Sequence, residues 1–443
     1  MPAVTSCGNE TNSSVPKSLQ INNCTAQRWG VVFDLFADSI GALYVLHRDQ
    51  APNWGDEHWF LDKYNPTGVI EWTHAWPSNL RLSDDVVMAV DNALSIYVAD
   101  RNAEAPGNIT LEKYNDKRDV QWSRQFDHTD PKILGSQKCI VNDVITDQDG
   151  SVVISASYYF TKKDCYSCYE KSWSCAFTKY TGDGNLKWHH SFPVRDDGRR
   201  DLTDGFPCHS LATDTTGNLY FLQVSAKIPS WSKLRESAPR SRFLKLDSSG
   251  DRKWNKTVGL GYNCSASALA IGADSYIYVT GTYFIEAEDW YSKVFLNKYD
   301  TSGNLQWQMF KSCETKNIWS QKYTPTSYPV AITYQNSTGS VLISGFTKCN
   351  CDGQTTAGEE RNGLLFIMNY SRSGKWQWTI DHNLTYPVIP GWEGGYGENS
   401  HQGDKIEGMV IDNSSEISLA LQRRPTPNFN PYERTGYLVK YDY

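Results

Sequence analysis

Two short acidic segments have compositions that suit metal binding or acid–base chemistry. In WGDEHW, Asp56, Glu57 and His58 lie between two tryptophans. Carboxylate and imidazole groups this close can bind a metal ion or act as acid and base, and they also occur in ordinary solvated loops, which we favour here. The segment TDQDGS at residues 146–151 resembles the start of a calcium-binding loop. The role of each segment depends on the elements that position it.

A sequence repeat supplies those elements. Seven units share an apolar run, a short turn, a second apolar run, a variable insert and a third run that usually ends in Lys-Tyr. The first turn opens at Asp38, Asp91, Asp147, Asp214, Gly272, Asn336 and Asp412. A second turn and a Trp follow in six units, at Trp72, Trp122, Trp188, Trp254, Trp307 and Trp378. Period-two alternation predicts four short strands per unit, joined by hairpins, and the outer Trp should pack between neighbouring blades. TDQDGS aligns with a first turn, so we favour a hairpin turn over a calcium site.

Repeated four-stranded units predict an all-β fold: a single seven-bladed β-propeller with four antiparallel strands per blade. The last unit ends at LVKYDY without a fourth strand, and an open strand edge invites pairing with other chains. We therefore expect an N-terminal strand, residues 17–23, to complete the last blade and close the ring. Residues 1–16 form a tail, residues 17–443 form the propeller, and its blades span about 30–77, 84–127, 140–193, 208–258, 265–311, 328–381 and 405–443. A β-helix or two smaller sandwiches would explain neither the number of units nor the incomplete last one.

The repeat also resembles known propeller motifs. Asp-x-x-Gly-Asn-x-Tyr occurs at residues 214–220, and Phe-Leu-x-Lys-Tyr-Asp-x-x-Gly-Asn-x-x-Trp occurs at residues 295–307. This order resembles the family of seven-bladed propeller repeats of bacteria and eukaryotes that is named for its shape, over residues from about 30 to 443. It is also similar to the blade motif of pyrroloquinoline-quinone dehydrogenases and to the Asp-box of sialidases. These motifs are structural in those families, so the resemblance implies a fold and no activity.

Propeller geometry separates two faces. The turns between strands 1 and 2 and between strands 3 and 4 are short and lie on one face, the short-turn face. The inserts between strands 2 and 3 and the crossings between blades are long and lie on the opposite, long-loop face, where binding residues are expected. The candidate binding residues there are Trp54, Trp59, Trp173, Trp231, Trp290, Tyr291, Trp319 and Trp392. Aromatic platforms suit sugar rings or a protein partner, and the same residues also suit the interiors of long loops.

Ten of the 11 cysteines map to the long-loop face, and Cys7 is unplaced. The disulfide candidates are Cys7, Cys24, Cys139, Cys165, Cys168, Cys175, Cys208, Cys264, Cys313, Cys349 and Cys351. We expect Cys165-x-x-Cys168 to be a disulfide staple, with a zinc or redox site as the alternative.

The expected disulfides join separate parts of this face. Plausible pairs link Cys139 or Cys208 to the blade-three insert, and Cys313 to Cys349 or Cys351. Because 11 is an odd number, one cysteine is free or bonds another chain.

The composition and the glycosylation motifs favour a secreted globular chain. The 443 residues carry a net charge of -7, which argues against a nucleic-acid partner, and no apolar run approaches the roughly 18 residues that a membrane span needs. Asn-x-Ser/Thr occurs at Asn9, Asn12, Asn23, Asn108, Asn255, Asn263, Asn336, Asn369, Asn383 and Asn413. No signal peptide is visible. Because the sequons and cysteines favour secretion, we expect a secreted chain whose signal is missing from this sequence. A cytosolic protein with free thiols is the alternative.

The first strands carry a second group of candidates. Asp34, Asp143 and Ser210 are expected to line the central channel, where they could bind a cation or a water molecule. Two carboxylates in this position do not by themselves make an active site.

We expect a non-enzymatic extracellular or cell-surface glycoprotein with a structural or adhesive role. Its long-loop face would bind a glycan, an extracellular protein or another copy of itself, as in a coat or filament subunit. We expect no cofactor, no metal and no catalytic residues. One alternative is a propeller enzyme, either a glycosidase or lyase acting on polysaccharide or a quinoprotein-like oxidoreductase, and another is an intracellular scaffold.

Overall fold

The structure, a computed structural model, describes residues 21–29, 31–38, 40–49, 58–76, 82, 86–101, 108–127, 136–163, 169–193, 208–224, 241–258, 264–284, 292–311, 315–316, 322–323, 326–348, 365–382, 405–411, 417–423 and 435–441. These residues form a β-propeller whose blades each have four antiparallel strands. Among them, no helix is long and apolar enough to cross a membrane.

Strand β1 (Ile21–Trp29) opens the described chain. Six blades follow, each of four strands that are consecutive in the chain. Blade 1 is β2 (Val31–Ala37), β3 (Leu43–Arg48), β4 (Trp59–Tyr64) and β5 (Ile70–Ala75); blade 2 is β6 (Val87–Val90), β7 (Ile96–Arg101), β8 (Asn108–Tyr114) and β9 (Val120–Asp127). Blade 3 is β10 (Ser136–Thr146), β11 (Val152–Lys163), β12 (Tyr169–Tyr180) and β13 (Leu186–Pro193); blade 4 is β14 (Cys208–Thr213), β15 (Leu219–Val224), β16 (Ser241–Leu246) and β17 (Arg252–Thr257). Blade 5 is β18 (Cys264–Ile271), β19 (Ile277–Phe284), β20 (Ser292–Tyr299) and β21 (Leu305–Lys311); blade 6 is β24 (Thr326–Gln335), β25 (Ser340–Lys348), β26 (Leu365–Tyr370) and β27 (Trp376–His382). Between blades 5 and 6, β22 (Thr315–Lys316) pairs with β23 (Lys322–Tyr323).

Six blades of consecutive strands are one fewer than the seven that the sequence predicts. The seventh unit supplies three strands, β28 (Lys405–Ile411), β29 (Ile417–Arg423) and β30 (Thr435–Tyr441), and they join β1 in a sheet of order β1-β30-β29-β28. The predicted closing strand, residues 17–23, lies partly outside the described residues; its described part belongs to β1, which pairs with β30 and continues to Trp29, opposite Gly436.

The blades pack against each other, so the middle strands are buried on both sides. All six residues of β15 are buried, whereas the outer strand β5 alternates between partly buried and exposed residues. Tyr97 and Leu111 of blade 2 share one core cluster with Val141 and Ile154 of blade 3. The continuous apolar runs in the sequence therefore encode packing between blades.

The first strands of blades 1, 3, 4, 5 and 6 carry a β-bulge at matching positions, which brings backbone close to the second strand. In blade 5 the bulge lies between Ala266 and Ala268, opposite Gly281. A Cβ atom at Gly281 would lie 2.1 Å from the carbonyl oxygen of Ser265, so the position requires glycine. Gly345 is in the same situation in blade 6, where a Cβ would lie 2.3 Å from the Tyr328 carbonyl oxygen.

Neighbouring blades are joined at the short-turn face by a repeated contact, which we call the Trp contact. The Trp122 indole N–H and the Lys113 ammonium both donate to the carbonyl oxygen of Gly182 in the next blade, at 3.0 and 2.9 Å. Trp254 and Lys245 contact Thr301 O in the same way, at 3.3 and 3.2 Å. The predicted position of the tryptophans between blades is therefore confirmed for these residues.

Candidate binding face

The TDQDGS segment forms the hairpin turn between β10 and β11, as predicted. The Asp147 N–H donates to the Ser151 carbonyl oxygen at 2.9 Å. Lys179 makes a buried ion pair with Asp147, and the Lys187 ammonium lies 2.6 Å from the Asp149 carboxylate. Lysine side chains thus neutralise the carboxylates that would coordinate calcium in the alternative hypothesis.

Asp34, Asp143 and Ser210 lie on the first, inner strands, where their side chains bind backbone of the next blade. The acceptor–donor pairs are Asp34 Oδ2 with Met88 N–H at 2.8 Å, Asp143 Oδ2 with Leu211 N–H at 3.1 Å, and Ser210 Oγ with Leu269 N–H at 3.0 Å. These contacts give all three residues a structural role in joining blades. In the described part of the chain, no group of three or more His, Cys, Asp and Glu side chains could hold a metal ion.

Asp143 has the acidity of a group that exchanges protons near neutral pH. Its removal from bulk solvent raises the pKa of Asp143 to about 7, and the negative charge of Asp34 acts in the same direction. The N–H groups of Leu211 and Val144 oppose these effects, because they stabilise the ionised form. A carboxyl in this range can act as an acid or a base, but here it is part of the contact between blades 3 and 4.

The WGDEHW segment falls mostly outside the described residues, which include neither Asp56 nor Glu57. His58 is described and is paired with Asp49: the His58 N–H donates to Asp49 Oδ1 at 2.8 Å, and His58 Nδ1 lies 3.4 Å from Asp49 Oδ2. Both side chains are partly exposed at the long-loop end of blade 1.

Trp59 was predicted as a candidate binding residue of the long-loop face, but it is buried and not exposed. Its side chain is 2% exposed, and its ring centroid lies 4.4 Å from that of Phe33. Trp59 is buried because it points into the contact between blades 1 and 2, beside Met88. Its function is to hold Arg48, whose guanidinium carbon lies 5.4 Å from the Trp59 ring and 5.5 Å from the Phe33 ring.

Two aromatic pairs at the long-loop ends of blades 5 and 6 were not among the predicted residues. Tyr328 and Phe346 are cross-strand neighbours whose rings stack with centroids 5.3 Å apart and 24° between planes. The ring centroids of Tyr283 and Phe310 lie 4.8 Å apart. Phe310 is 38% exposed, and the other three rings are partly buried. Their signal in the sequence was an aromatic residue at the loop end of a strand, whereas the prediction considered aromatic residues within the inserts.

The blade-three insert is also corrected, because most of it is strand. β11 and β12 continue past the other hairpins, with backbone pairing from Tyr158 opposite Ser174 to Lys163 opposite Tyr169. Trp173, predicted in a loop, is therefore a strand residue of β12. The Tyr, Phe, Thr and Trp content of the insert favours strand, which explains the extension.

The disulfide between Cys175 and Cys208 joins β12 of blade 3 to β14 of blade 4. It confirms the predicted link between Cys208 and the blade-three insert, although Cys175 lies in a strand and not in a loop. Cys24, Cys139 and Cys264 are also strand residues, of β1, β10 and β18. Cys7, Cys165, Cys168, Cys313, Cys349 and Cys351 lie outside the described residues.

The asparagines of the glycosylation motifs differ in their exposure to solvent. Asn255 on β17 and Asn336 in the β24–β25 turn are exposed, and Asn108 on β8 is partly exposed. Asn369 is 0% exposed, and this burial argues against a glycan on the folded protein. It takes the place of the Lys in the repeat and lies on β26, an inner strand of blade 6. Asn23 belongs to β1, and Asn9, Asn12, Asn263, Asn383 and Asn413 lie outside the described residues.

The other candidate binding aromatics lie outside the described residues: Trp54, Trp231, Trp290, Tyr291, Trp319 and Trp392. The described part of the long-loop face is formed by strand ends, which include Arg48, His58 and Asp49 in blade 1 and the aromatic pairs in blades 5 and 6.

No protein-family model and no curated protein matches the chain. Solved structures do match. An ulvan lyase of polysaccharide lyase family PL25 is 10% identical, with a TM-score of 0.51 and coverage of 94% of both chains. The same kind of lyase bound to -[GlcA(1-4)Rha3S]- gives a TM-score of 0.50, at 10% identity and the same coverage. The β-propeller domain of the Trilobed protease from Pyrococcus furiosus, 9% identical, has a TM-score of 0.47 over 95% of both chains. At these identities the two lyase structures support the propeller fold and no activity.

Proposed function

We propose that this chain is a secreted, N-glycosylated propeller that binds a glycan on its long-loop face, without catalysing a reaction. The observation that carries the proposal is the stacked pair of Tyr328 and Phe346, partly exposed at the loop end of blade 6. Flat apolar rings at the rim of a rigid scaffold suit the apolar faces of sugar rings. A second aromatic pair, Tyr283 and Phe310, lies at the same end of the neighbouring blade.

The extracellular location is supported by surface chemistry. The exposed sequon residues Asn255 and Asn336 could accept glycans without disturbing the fold. The Cys175–Cys208 disulfide joins two blades on the long-loop side, and such bonds persist in oxidising compartments. An adhesive or structural protein outside the cell is consistent with both features.

We further propose that the sheet of β1 and β28–β30 is a seventh blade that closes the ring. Strand β28 contacts β2 of blade 1 and β24 of blade 6, which supports a position between the first and last blades. Deleting residues 1–29 should then expose the edge of β30, lower the melting temperature and cause aggregation. Deleting residues 1–16, the predicted tail, is the matched control and should have little effect; equal stability of the two deletions would contradict the seventh blade.

Polysaccharide lyase activity is the second candidate, and the presence of Arg48 and His58 at one end of blade 1 favours it over other enzyme classes. A lyase removes a proton beside a carboxylate, which requires a cation to neutralise the carboxylate and a base to take the proton. Arg48 and His58 lie at the same end of blade 1 and have these chemical properties. In the lyase hypothesis, His58→Ala abolishes formation of an unsaturated product while leaving glycan binding intact.

The proposal is tested by glycan-array screening followed by calorimetry with the best glycan. Tyr328→Ala and Phe346→Ala should each weaken binding about tenfold, equivalent to about 1.4 kcal/mol. Leu186→Ala is the matched control, because Leu186 is an exposed apolar residue of the short-turn face, and it should leave the affinity unchanged. Absence of binding to any glycan would contradict the proposal; binding of a protein or self-association through the same rings would replace the glycan as partner.

A further inference from the structure

We propose that the long-loop face selects saccharides that carry carboxylate or sulfate groups, and that Arg48 and Arg101 recognise those groups. The inference rests on the proposed glycan-binding function and names the chemical class of the ligand. The two arginines occupy the same position on neighbouring blades: Arg48 is the last residue of β3, and Arg101 is the last residue of β7. Both side chains are partly exposed.

Equivalent register places the two arginines at the same level of neighbouring blades. In blade 1, Arg48 pairs with Trp59 across the hairpin, and in blade 2, Arg101 pairs with Ile109. Each lies at the sixth residue of a second strand, so the two side chains project to the same side of equivalent blades. The other described blades have Ser157, Val224, Thr282 and Phe346 at this position. The positive charges are therefore specific to blades 1 and 2 and are not part of the repeat.

Two aromatic rings of blade 1 lie beside the Arg48 guanidinium. Its central carbon lies 5.5 Å from the Phe33 ring and 5.4 Å from the Trp59 ring, and Trp59 is itself buried. Cation–π contacts use the face of the guanidinium and leave its edge, with N–H donors, available for further hydrogen bonds. An arginine has five such donors, so one that already makes a hydrogen bond can still bind a carboxylate or sulfate with others.

Two carboxylates of blade 1 make hydrogen bonds to other residues. Asp49 accepts a hydrogen bond from the His58 N–H at 2.8 Å and lies beside the His58 ring. Asp62 is buried and bound by His47 at 3.0 Å and by the Thr73 hydroxyl at 2.6 Å.

The test compares acidic and neutral probes on the full-length protein by calorimetry. The probes are an oligoglucuronate, a sulfated dextran oligosaccharide and an uncharged β-glucan oligosaccharide of similar length. Wild type should bind one or both acidic probes at least tenfold more tightly than the neutral one, and the better acidic probe identifies the charged group. Affinity for the acidic probe should also fall as salt rises, a measurement that needs no variant.

The variants Arg48→Gln and Arg101→Gln should each weaken acidic binding about tenfold, and the double variant about 100-fold, with neutral binding unchanged. Arg48→Lys keeps the charge and the stem but not the planar donor set, so it should restore part of the affinity. If the neutral probe binds as well as the acidic ones, or the double variant keeps full acidic affinity, the inference is overturned while the proposed function stands. If no probe binds, both fail.

Discussion

The short-turn face and the long-loop face use the same strands in different ways. At the short-turn face, the indole of Trp122 and the ammonium of Lys113 donate to one carbonyl oxygen of the next blade, and Trp254 and Lys245 repeat the arrangement. At the long-loop face, Arg48 takes no part in such a repeated contact, and its guanidinium lies beside two aromatic rings of its own blade. The comparison teaches that residues which recur in most units join the blades, whereas residues that break the repeat are the candidates for function.

The largest expected effect comes from breaking the short-turn face. Trp122→Ala removes a ring packed between blades and the hydrogen bond to Gly182, so it should lower the free energy of unfolding by about 3 kcal/mol. Chemical denaturation measures this, and glycan affinity of the folded fraction should stay at the wild-type value. A loss of affinity without a loss of stability would reverse the roles of the two faces.

Asp143 lies between the two faces and gives a pH-dependent prediction. Because burial and the charge of Asp34 raise its pKa from 3.8 to about 7, the folded state binds this proton more tightly than the unfolded chain does. Its contribution to stability is therefore fully present below about pH 4 and is lost as the pH rises through 7.

Melting temperatures measured from pH 4 to 8 check this prediction against Asp143→Asn, which should remove that part of the pH dependence and change stability by about 1–2 kcal/mol. Asp34→Asn keeps the titrating group but removes one cause of its raised pKa, so it should make the dependence shallower. An unchanged pH profile in Asp143→Asn would contradict the assignment.

At the long-loop face, substitutions should change binding more than stability. Phe346→Leu keeps an apolar side chain but removes the stacked ring beside Tyr328, so it should weaken glycan binding several-fold while costing about 1 kcal/mol of stability. Calorimetry and denaturation on the same sample separate the two effects. A large loss of stability with unchanged affinity would assign the pair to the core.

The smallest expected effect on the fold comes from glycosylation. Asn336 is exposed in a turn, so Asn336→Gln should remove one glycan mass and leave the melting temperature nearly unchanged. Asn369 is buried, so Asn369→Gln should change no glycan mass. Intact-mass analysis of protein from a secreting eukaryotic cell decides this; a glycan on Asn369 would contradict its buried position.

The repeat explains how much of this could be predicted. Hairpin turns such as Asp147–Ser151, the interblade position of Trp122 and the link from Cys208 to the blade-three insert all follow from residue types at fixed spacing. The sequence predicted seven blades, whereas the structure shows six of consecutive strands; the seventh unit lacks a fourth strand of its own, as its sequence indicated.

The binding face was harder to predict, for a physical reason. Whether an aromatic or charged side chain at a strand end faces solvent depends on the packing of the next blade. Trp59 and Asn369 are buried by such packing, although their sequence contexts favoured exposure. Arg48 and Phe346 look unremarkable in sequence, and their roles follow from ring contacts between strands.

Hydrogen–deuterium exchange with and without a bound glycan tests the central claim most directly, because it reports on both faces in one experiment. The account predicts slower exchange on binding in peptides that cover the strand ends at 46–49, 99–101, 326–328 and 344–346. Peptides that cover the turns at 115–119, 181–185 and 300–304 should exchange at unchanged rates. Protection of the turns with no change at the strand ends would contradict the assignment of the binding site to the long-loop face.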